Sequence, residues 1–376
     1  MRGGFEPPLP LGARVRVILF SDLHIHTWSE FSHDERGAPS RLRHGISVMK
    51  QIRGYCEKHE IKLVLFGGDL FHKRGVLYTL PYNLVCSELA AWKKAGLTLL
   101  ANVGNHDAAD RHARVHALSA MESAGLLHTV DESGWANWDI DDEVTITAVA
   151  YCGDATELTR RTTAALDDRT KGMTTVGLFH HGFRGARVGT SLEYVVKEEA
   201  DPNTYVKEFD RMFSGHYHAH QEIGASENAC YVGSPMEFVR GETSPKGFVV
   251  LDTQKKAIKR ERLDLPRFVK LTEEQLADND FDVEEHIKGN FVDVIFEELP
   301  VPWEQLEKVL LKKGAEGVRA CPTAPEKLVK SSRLQVDPTM GDKQLLELYL
   351  EHAQVDPSER DDLLRIGLSL LVEAAK

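Results

Sequence analysis

Five short polar clusters recur in the first 220 residues: Asp22-Leu23-His24, Gly68-Asp69, Gly104-Asn105-His106-Asp107, His180-His181 and Gly215-His216-Tyr217-His218. They offer carboxylate oxygens, an amide oxygen and imidazole nitrogens, and no cysteine takes part. Mixed imidazole and oxygen donors suit Mn, Fe or Zn and argue against soft-metal sites or a calcium cage. Asp22, His24, Asp69, Asn105, His180, His216 and His218 are too many ligands for one first-row ion. They fit two ions about 3.5–4 Å apart sharing one carboxylate, the arrangement used for phosphoester hydrolysis. Two such cations make hydroxide available near neutral pH and neutralise charge building on phosphoryl oxygens. His106, the spare imidazole beside Asn105, is the candidate general acid for the leaving oxygen. In the fourth cluster His180 and His181 compete for one place, and His180 is preferred because it directly follows a strand.

The elements that must carry these clusters are legible as apolar runs. Residues 15–20, 63–66 and 97–103 read as buried strands, each ending at a polar cluster, and 175–179 and 212–214 do the same. Residues 143–151 alternate like a strand. Leu42, Ile46, Met49, Ile52 and Cys56 fall at helical spacing, 84–92 looks helical, and Val115, Leu118 and Met121 fit a further helix. Strands alternating with helices mean an α/β sheet, and sites in such sheets lie past the strand C-termini. Residues 247–252 and 256–263 read as a hairpin closing this domain. Composition shifts near Pro266. A strand at 291–296, a helix at 303–313 opened by Pro302 and stopped at Gly314, and a strand at 317–320 form one βαβ unit. The Pro-containing stretch 321–342 reads as a linker, followed by two helices with apolar faces at 345–349 and 364–371. The expected domains are 1–265, 266–325 and 326–376.

The 376 residues are 42% hydrophobic and 28% charged, a globular composition. A net charge of −12 excludes a basic DNA-coating protein or a polybasic membrane binder, but not a nucleic-acid enzyme with a local positive stripe. No apolar run approaches the roughly 18 residues of a membrane helix, and the Gly- and Pro-rich residues 1–12 lack a signal-peptide core. Five scattered cysteines without metal-finger spacing read as reduced thiols, which fits a cytoplasmic protein.

The ordered set DxH, GD, GNH[DE], H and GHxH resembles the calcineurin-like metallophosphoesterase superfamily over about residues 15–252, and that pattern also places the fourth ligand at His180. The resemblance implies a four-layer α/β/β/α sandwich with the dimetal site at one edge of the sheets. Gly68-Asp69-Leu70-Phe71-His72 and Tyr231-Val232-Gly233-Ser234-Pro235 resemble segments of SbcD-type DNA double-strand-break repair nucleases. The chain departs from phosphoprotein phosphatases, which continue GD with VDRG and then GNHE. An SbcD-type nuclease implies a small βαβ DNA-capping domain and a C-terminal helical pair that docks onto an SMC-like ATPase of the SbcC type. It also implies two ions, foremost Mn, a homodimer, and exonuclease and endonuclease action on DNA. His72 then becomes a candidate phosphate contact, and Asp107 a carboxylate orienting His106 or a ligand. Lys73, Arg74, Arg184, Arg187 and Arg240 are candidate contacts to DNA backbone. The alternative is a small-molecule phosphodiesterase or phosphatase on the same core, needing neither cap nor partner. A non-catalytic scaffold is opposed by the complete ligand set and His106.

Overall fold

A computed structural model describes residues 16–278, apart from 30, 31 and 36, together with 282–297, 302–322 and short helical stretches within 346–350 and 360–367. The chain forms two compact units, Met1–Pro322 and Thr323–Lys376. The first contains two six-stranded sheets and a three-stranded one.

The first large sheet is built on apolar runs that pair in parallel: Arg16–Phe20, Leu63–Phe66, Thr98–Ala101 and His128–Thr129, in that order. The expected hairpin, Phe248–Asp252 with Ala257–Glu261, adds antiparallel strands at the other edge. Helices Ser40–His59 and Thr79–Lys94 cover this sheet, burying Leu42, Met49, Ile52, Val85, Leu89 and Trp92. The second sheet runs in the order Gln221–Ile223, Ser226–Tyr231, Arg211–Gly215, Thr174–His180, Val144–Val149 and Trp135–Ile140. Its strands alternate between two cores. Ile146, Ala148, Val176, Leu178 and Phe213 pack into the same cluster as the first sheet. Val149, Phe179, Met212 and Tyr231 face the other way, with Leu158 of helix Ala155–Asp168. The layers are therefore helix, sheet, sheet, helix, as the resemblance implies. Asn102, fully buried at the end of its strand, donates from Nδ2 to the carbonyls of Val149 (2.9 Å) and Leu178 (3.1 Å), so one amide ties both sheets together.

Two local expectations need correcting. Val115 lies outside the short helix Ser119–Ser123 and is 65% exposed. The Asp110 carboxylate accepts from the amides of His112 and Val115 at 2.8 Å, holding a loop where the apolar spacing suggests a helix. Arg240 is not a free cation for DNA: it pairs with the buried Asp293.

Residues 291–296 and 317–322 are strands joined by helix Trp303–Lys312, and both pair in parallel as expected. A third strand, Phe268–Thr272, completes this sheet and starts just past the expected boundary at 265. The module has its own core of Leu271, Ile287, Val292, Val294, Phe296 and Leu310. Cys321 and Pro322, expected in the linker, end the last strand; the N-terminal tail, residues 323–342 of the linker and most of the two C-terminal helices lie outside the described residues, and helical turns at 346–347, 349–350 and 363–367 fall within the expected pair.

Candidate metal centre

Every cluster hangs from the C-terminal end of a parallel strand, and the two sheets bring those ends together. The DxH and GD loops are stitched side by side: Asp22 N donates to Gly68 O (2.9 Å), His24 N to Asp69 O (3.0 Å) and Ile25 N to Leu70 O (2.8 Å). The sheets meet at Gly67 and Gly215. A Cβ on Gly215 would stand 2.7 Å from the Gly67 carbonyl, so no side chain fits there.

Four ligand candidates adopt left-handed backbone: Asp22 (φ 55°), His24 (46°), Asp69 (62°) and His216 (92°). Each costs about 1–3 kcal/mol for a residue other than glycine, and such strain persists only where its surroundings over-determine it. Asp107 supplies much of that. Its buried carboxylate accepts from the amides of Asp69 (2.7 Å), Leu70 (2.8 Å), Phe71 (3.2 Å) and Gly104 (3.1 Å). Asp107 thus holds Asp69 through the backbone. Both its oxygens are committed, so it neither touches phosphate nor binds the His106 ring.

The seven candidate ligands converge. His24 Nε2 and His218 Nε2 face each other at 3.0 Å. His180 Nε2 lies 3.2 Å from Asn105 Oδ1, and His216 Nδ1 lies 3.1 Å from the same oxygen. One oxygen of Asp69, Oδ2, sits 3.6 Å from His24 Nε2 and 3.3 Å from His180 Nε2, between the two sets of imidazoles. Asp22 Oδ1 accepts from the His216 amide (2.9 Å), while Asp22 Oδ2 is buried with no hydrogen-bond partner among the described residues. A buried, unpartnered carboxylate oxygen is costly unless a cation pairs with it. Three overlapping groups, Asp22 with His24 and His218, Asp22 with Asp69 and His180, and His24 with His72 and His106, have the spacing to hold divalent ions. His180 donates from Nδ1 to Gly67 O (2.7 Å), which leaves Nε2 for a metal. His181 points away: its Nε2 meets the Ala150 carbonyl (3.1 Å). Of the competing pair, His180 is the one in the cluster.

The model of the calcineurin-like phosphoesterase family matches residues 15–220. The chain belongs to that family. It therefore hydrolyses phosphoesters on a dimetal core. No curated protein matches the sequence. Among solved structures the chain is similar to the protein TT1561 of Thermus thermophilus, at 11% identity and a TM-score of 0.43, over 66% of this chain and 99% of that one. It is also similar to a dimetal phosphatase from Danio rerio, at 10% identity and a TM-score of 0.41, over 63% of this chain and 92% of that one.

Electrostatics in this phosphoesterase follow from packing charges without water. Burial drives the Asp22 carboxyl upward. Burial acts the same way on Asp69, but the charge and hydrogen bond of His180 and the charge of His24 outweigh it and hold Asp69 well below the carboxylate range. Burial opposes protonation of His180, yet Asp69 and Asp22 raise it to about 9. Burial and His180 push His216 down to about 3.

Around the ligands stands a phosphoesterase rim that motif reasoning only partly finds. His106 donates from Nδ1 to the His72 carbonyl, which leaves Nε2 for substrate, and its amide donates to Asp69 Oδ1 (2.8 Å). Its ring stands 4.7 Å from that of His24. His72 packs between Trp28 (4.2 Å) and His106 (5.4 Å). Burial and the neighbouring His106 lower His72 to about 4. His26 touches Trp28 and Tyr78 at the outer edge. Phe238 lies against His24 (5.4 Å) and His218 (5.3 Å). No spacing in the sequence signals Phe238, because it arrives on a loop 20 residues after the last ligand.

Proposed function

We propose that the protein is a metal-dependent DNA exonuclease and endonuclease, the cytoplasmic nuclease subunit of an SbcC–SbcD-like repair complex. One observation carries the step from phosphoester to DNA: the three-stranded module is rooted in the loop that lines the metal site. Arg240, two residues after Phe238, pairs with Asp293 of the module, and the Glu237 carboxylate accepts from the Phe268 amide (2.7 Å). Arg41 of the sandwich lies over Phe268 (5.8 Å) and Phe291 (5.7 Å) and donates to the Glu237 carbonyl. A small-molecule hydrolase needs no such wall beside its metals, whereas a polymer does. The segment from Asp69 to His72, with its resemblance to repair nucleases, supports the same reading.

Two divalent ions, manganese in this proposal, supply an activated water and neutralise phosphoryl charge when held by the seven ligands. The chain does the rest. Asp107 keeps Asp69 at its strained angle. The His72 carbonyl orients His106, whose Nε2 delivers a proton to the leaving oxygen. Lys73, Arg74 and Arg187 are exposed and available to phosphates, while Arg184 is paired with Asp201. The second unit exposes Tyr349 and Leu363, which supports docking on an ATPase partner; a homodimer would double the DNA grip. No helix among the described residues is long and apolar enough to cross a membrane.

The test uses labelled linear and hairpin DNA in Mn, Mg or EDTA, with Asp69→Ala and His106→Ala as controls. Cleavage in Mn that both variants lose supports the proposal. Intact DNA with the ATPase partner present, alongside hydrolysis of bis-p-nitrophenyl phosphate, would favour a small-molecule phosphodiesterase instead.

A further inference from the structure

Two cavities of about 330 Å³ each flank His216, and their chemistry is opposite. One is lined by Tyr151, Cys152, His181 and three carboxylates, Asp154, Glu198 and Glu199, with no lysine or arginine. The other reaches from His216 and His218 outward between residues 187–192 and 239–246. Its walls are largely apolar, with Val188, Leu192, Tyr217 and Val239, and its charged groups are Arg187, Lys246 and the Glu242 carboxylate that pairs with Lys246. Both cavities open beside the ligand His216, and a polyanion is repelled from the acidic one.

The basic-sided cavity is also the better built. Tyr217 is fixed by its contacts with His216 (4.8 Å between ring centroids) and Tyr231 (5.1 Å), so it presents a rigid aromatic wall. Lys246 is committed: it pairs with Glu242 and donates to the His218 carbonyl (3.1 Å) and Ser234 Oγ (2.9 Å). Arg187 is exposed and pairs with no carboxylate among the described residues. The Gln221 side chain clips it in place, accepting from the Arg187 amide (2.7 Å) and donating to its carbonyl (2.8 Å). The volume is at the lower end of ligand pockets, about 300–1,000 Å³. It suits one nucleoside rather than a stacked base pair. Flat bases with polar edges match apolar and aromatic walls with a cation at the mouth.

We infer that this cavity is a nucleoside subsite: it takes one unstacked nucleotide esterified to the scissile phosphate, its base beside Tyr217 and Val239 and its outer phosphate at Arg187. The inference rests on the nuclease reading and deepens it. It means that the scissile phosphate reaches the metals only where a nucleotide has left the stack, as at a frayed end or a hairpin loop.

The experiment compares kcat/KM in Mn for thymidine 5′- and 3′-(p-nitrophenyl phosphate) with that for methyl p-nitrophenyl phosphate. At least one nucleoside ester is expected to be preferred tenfold or more. Val239→Trp, which fills the cavity, is expected to cut that preference at least fivefold, whereas Arg187→Ala, whose guanidinium meets an outer phosphate that these esters lack, is expected to leave it unchanged. Glu198→Gln, in the acidic cavity, is expected to leave it where it stands. Absence of any preference, or a preference that Val239→Trp does not reduce, overturns the subsite. Labelled DNA, run in parallel, separates the two readings. Cleaved DNA without nucleoside preference sinks the subsite and keeps the nuclease. Inert DNA with a preference lost in Val239→Trp keeps the subsite and sinks the nuclease.

Discussion

The metal-ligand loops and the three-stranded module are both attached to the sandwich, but by opposite means. The loops are held through backbone: amides of adjoining loops pair with each other, and the Asp107 carboxylate collects four more. The module is held through side chains, by Arg240 on Asp293, Arg41 over two phenylalanines and Glu237 on one amide. Backbone stitching leaves few degrees of freedom and sets ligand atoms to fractions of an ångström, as chemistry demands. Side-chain anchoring places a whole unit, tolerates small shifts and can be undone by one substitution or by acid.

The sharpest way to break this comparison is at its chemical end. Asp69→Ala removes the carboxylate that lies between His24 and His180, and hydrolysis of bis-p-nitrophenyl phosphate should fall by about a thousandfold or more. Residual activity above a tenth of the starting value would mean that Asp69 is not a metal ligand. Next in size is the module's anchor. Asp293→Ala leaves two arginines, Arg240 and Arg319, without their carboxylate, at a cost of about 3–5 kcal/mol for breaking a buried pair. Denaturant unfolding should show the loss, and DNA cleavage should fall while the small diester is still turned over. Equal loss on both substrates would show that the anchor also shapes the metal site.

Acid offers a third test. His44 packs edge-on against Phe291 of the module and lies near Arg41 and His33. Burial and the Arg41 charge lower it to about 4. The unfolded chain binds a proton at this residue between about pH 6.5 and 4 that the folded one refuses, so stability falls as pH drops through that window. The loss should reach up to about 3 kcal/mol by pH 4, and His44→Leu should flatten it. Identical acid profiles for the two proteins would remove His44 from the anchor. The smallest effect belongs to Asp107→Asn, which keeps the shape but sets an NH2 donor against two of the four amides that the carboxylate serves. Metal affinity should drop about 10–100-fold, as for other residues that orient a ligand, with the module's stability unchanged. An unchanged metal titration would reduce Asp107 to loop closure.

Legibility in the sequence follows the same division. Buried parallel strands such as Leu63–Phe66 read as unbroken apolar runs, so their ends, and the polar clusters after them, can be located by eye. Strands with one polar face are harder. Trp135–Ile140 alternates with Asn137 and Asp139, whose side chains accept from Thr147 and Thr145 across the sheet, and its run carries no continuous apolar signal. Phe268–Thr272 is interrupted by Lys270 and is recognisable only once Phe291–Phe296 lies beside it. Helix Ala155–Asp168, capped by Asp154 accepting from the Glu157 amide, was within reach of capping rules but has a thin apolar face of Leu158 and Ala165.

The sequence by itself determined which side chains are the candidates for the chemistry, because donor type, number and order past strand ends are local facts. It left His180 and His181 in competition, and it left Arg240 among the candidates for DNA. Only the tertiary structure decided these, since each depends on which partner reaches the residue from far along the chain: Asp69 and Asn105 for His180, Ala150 for His181, Asp293 for Arg240. The opposite signs of the two cavities beside His216 are equally invisible in one dimension, because their walls come from segments separated by tens of residues that meet only when both sheets close on the same edge.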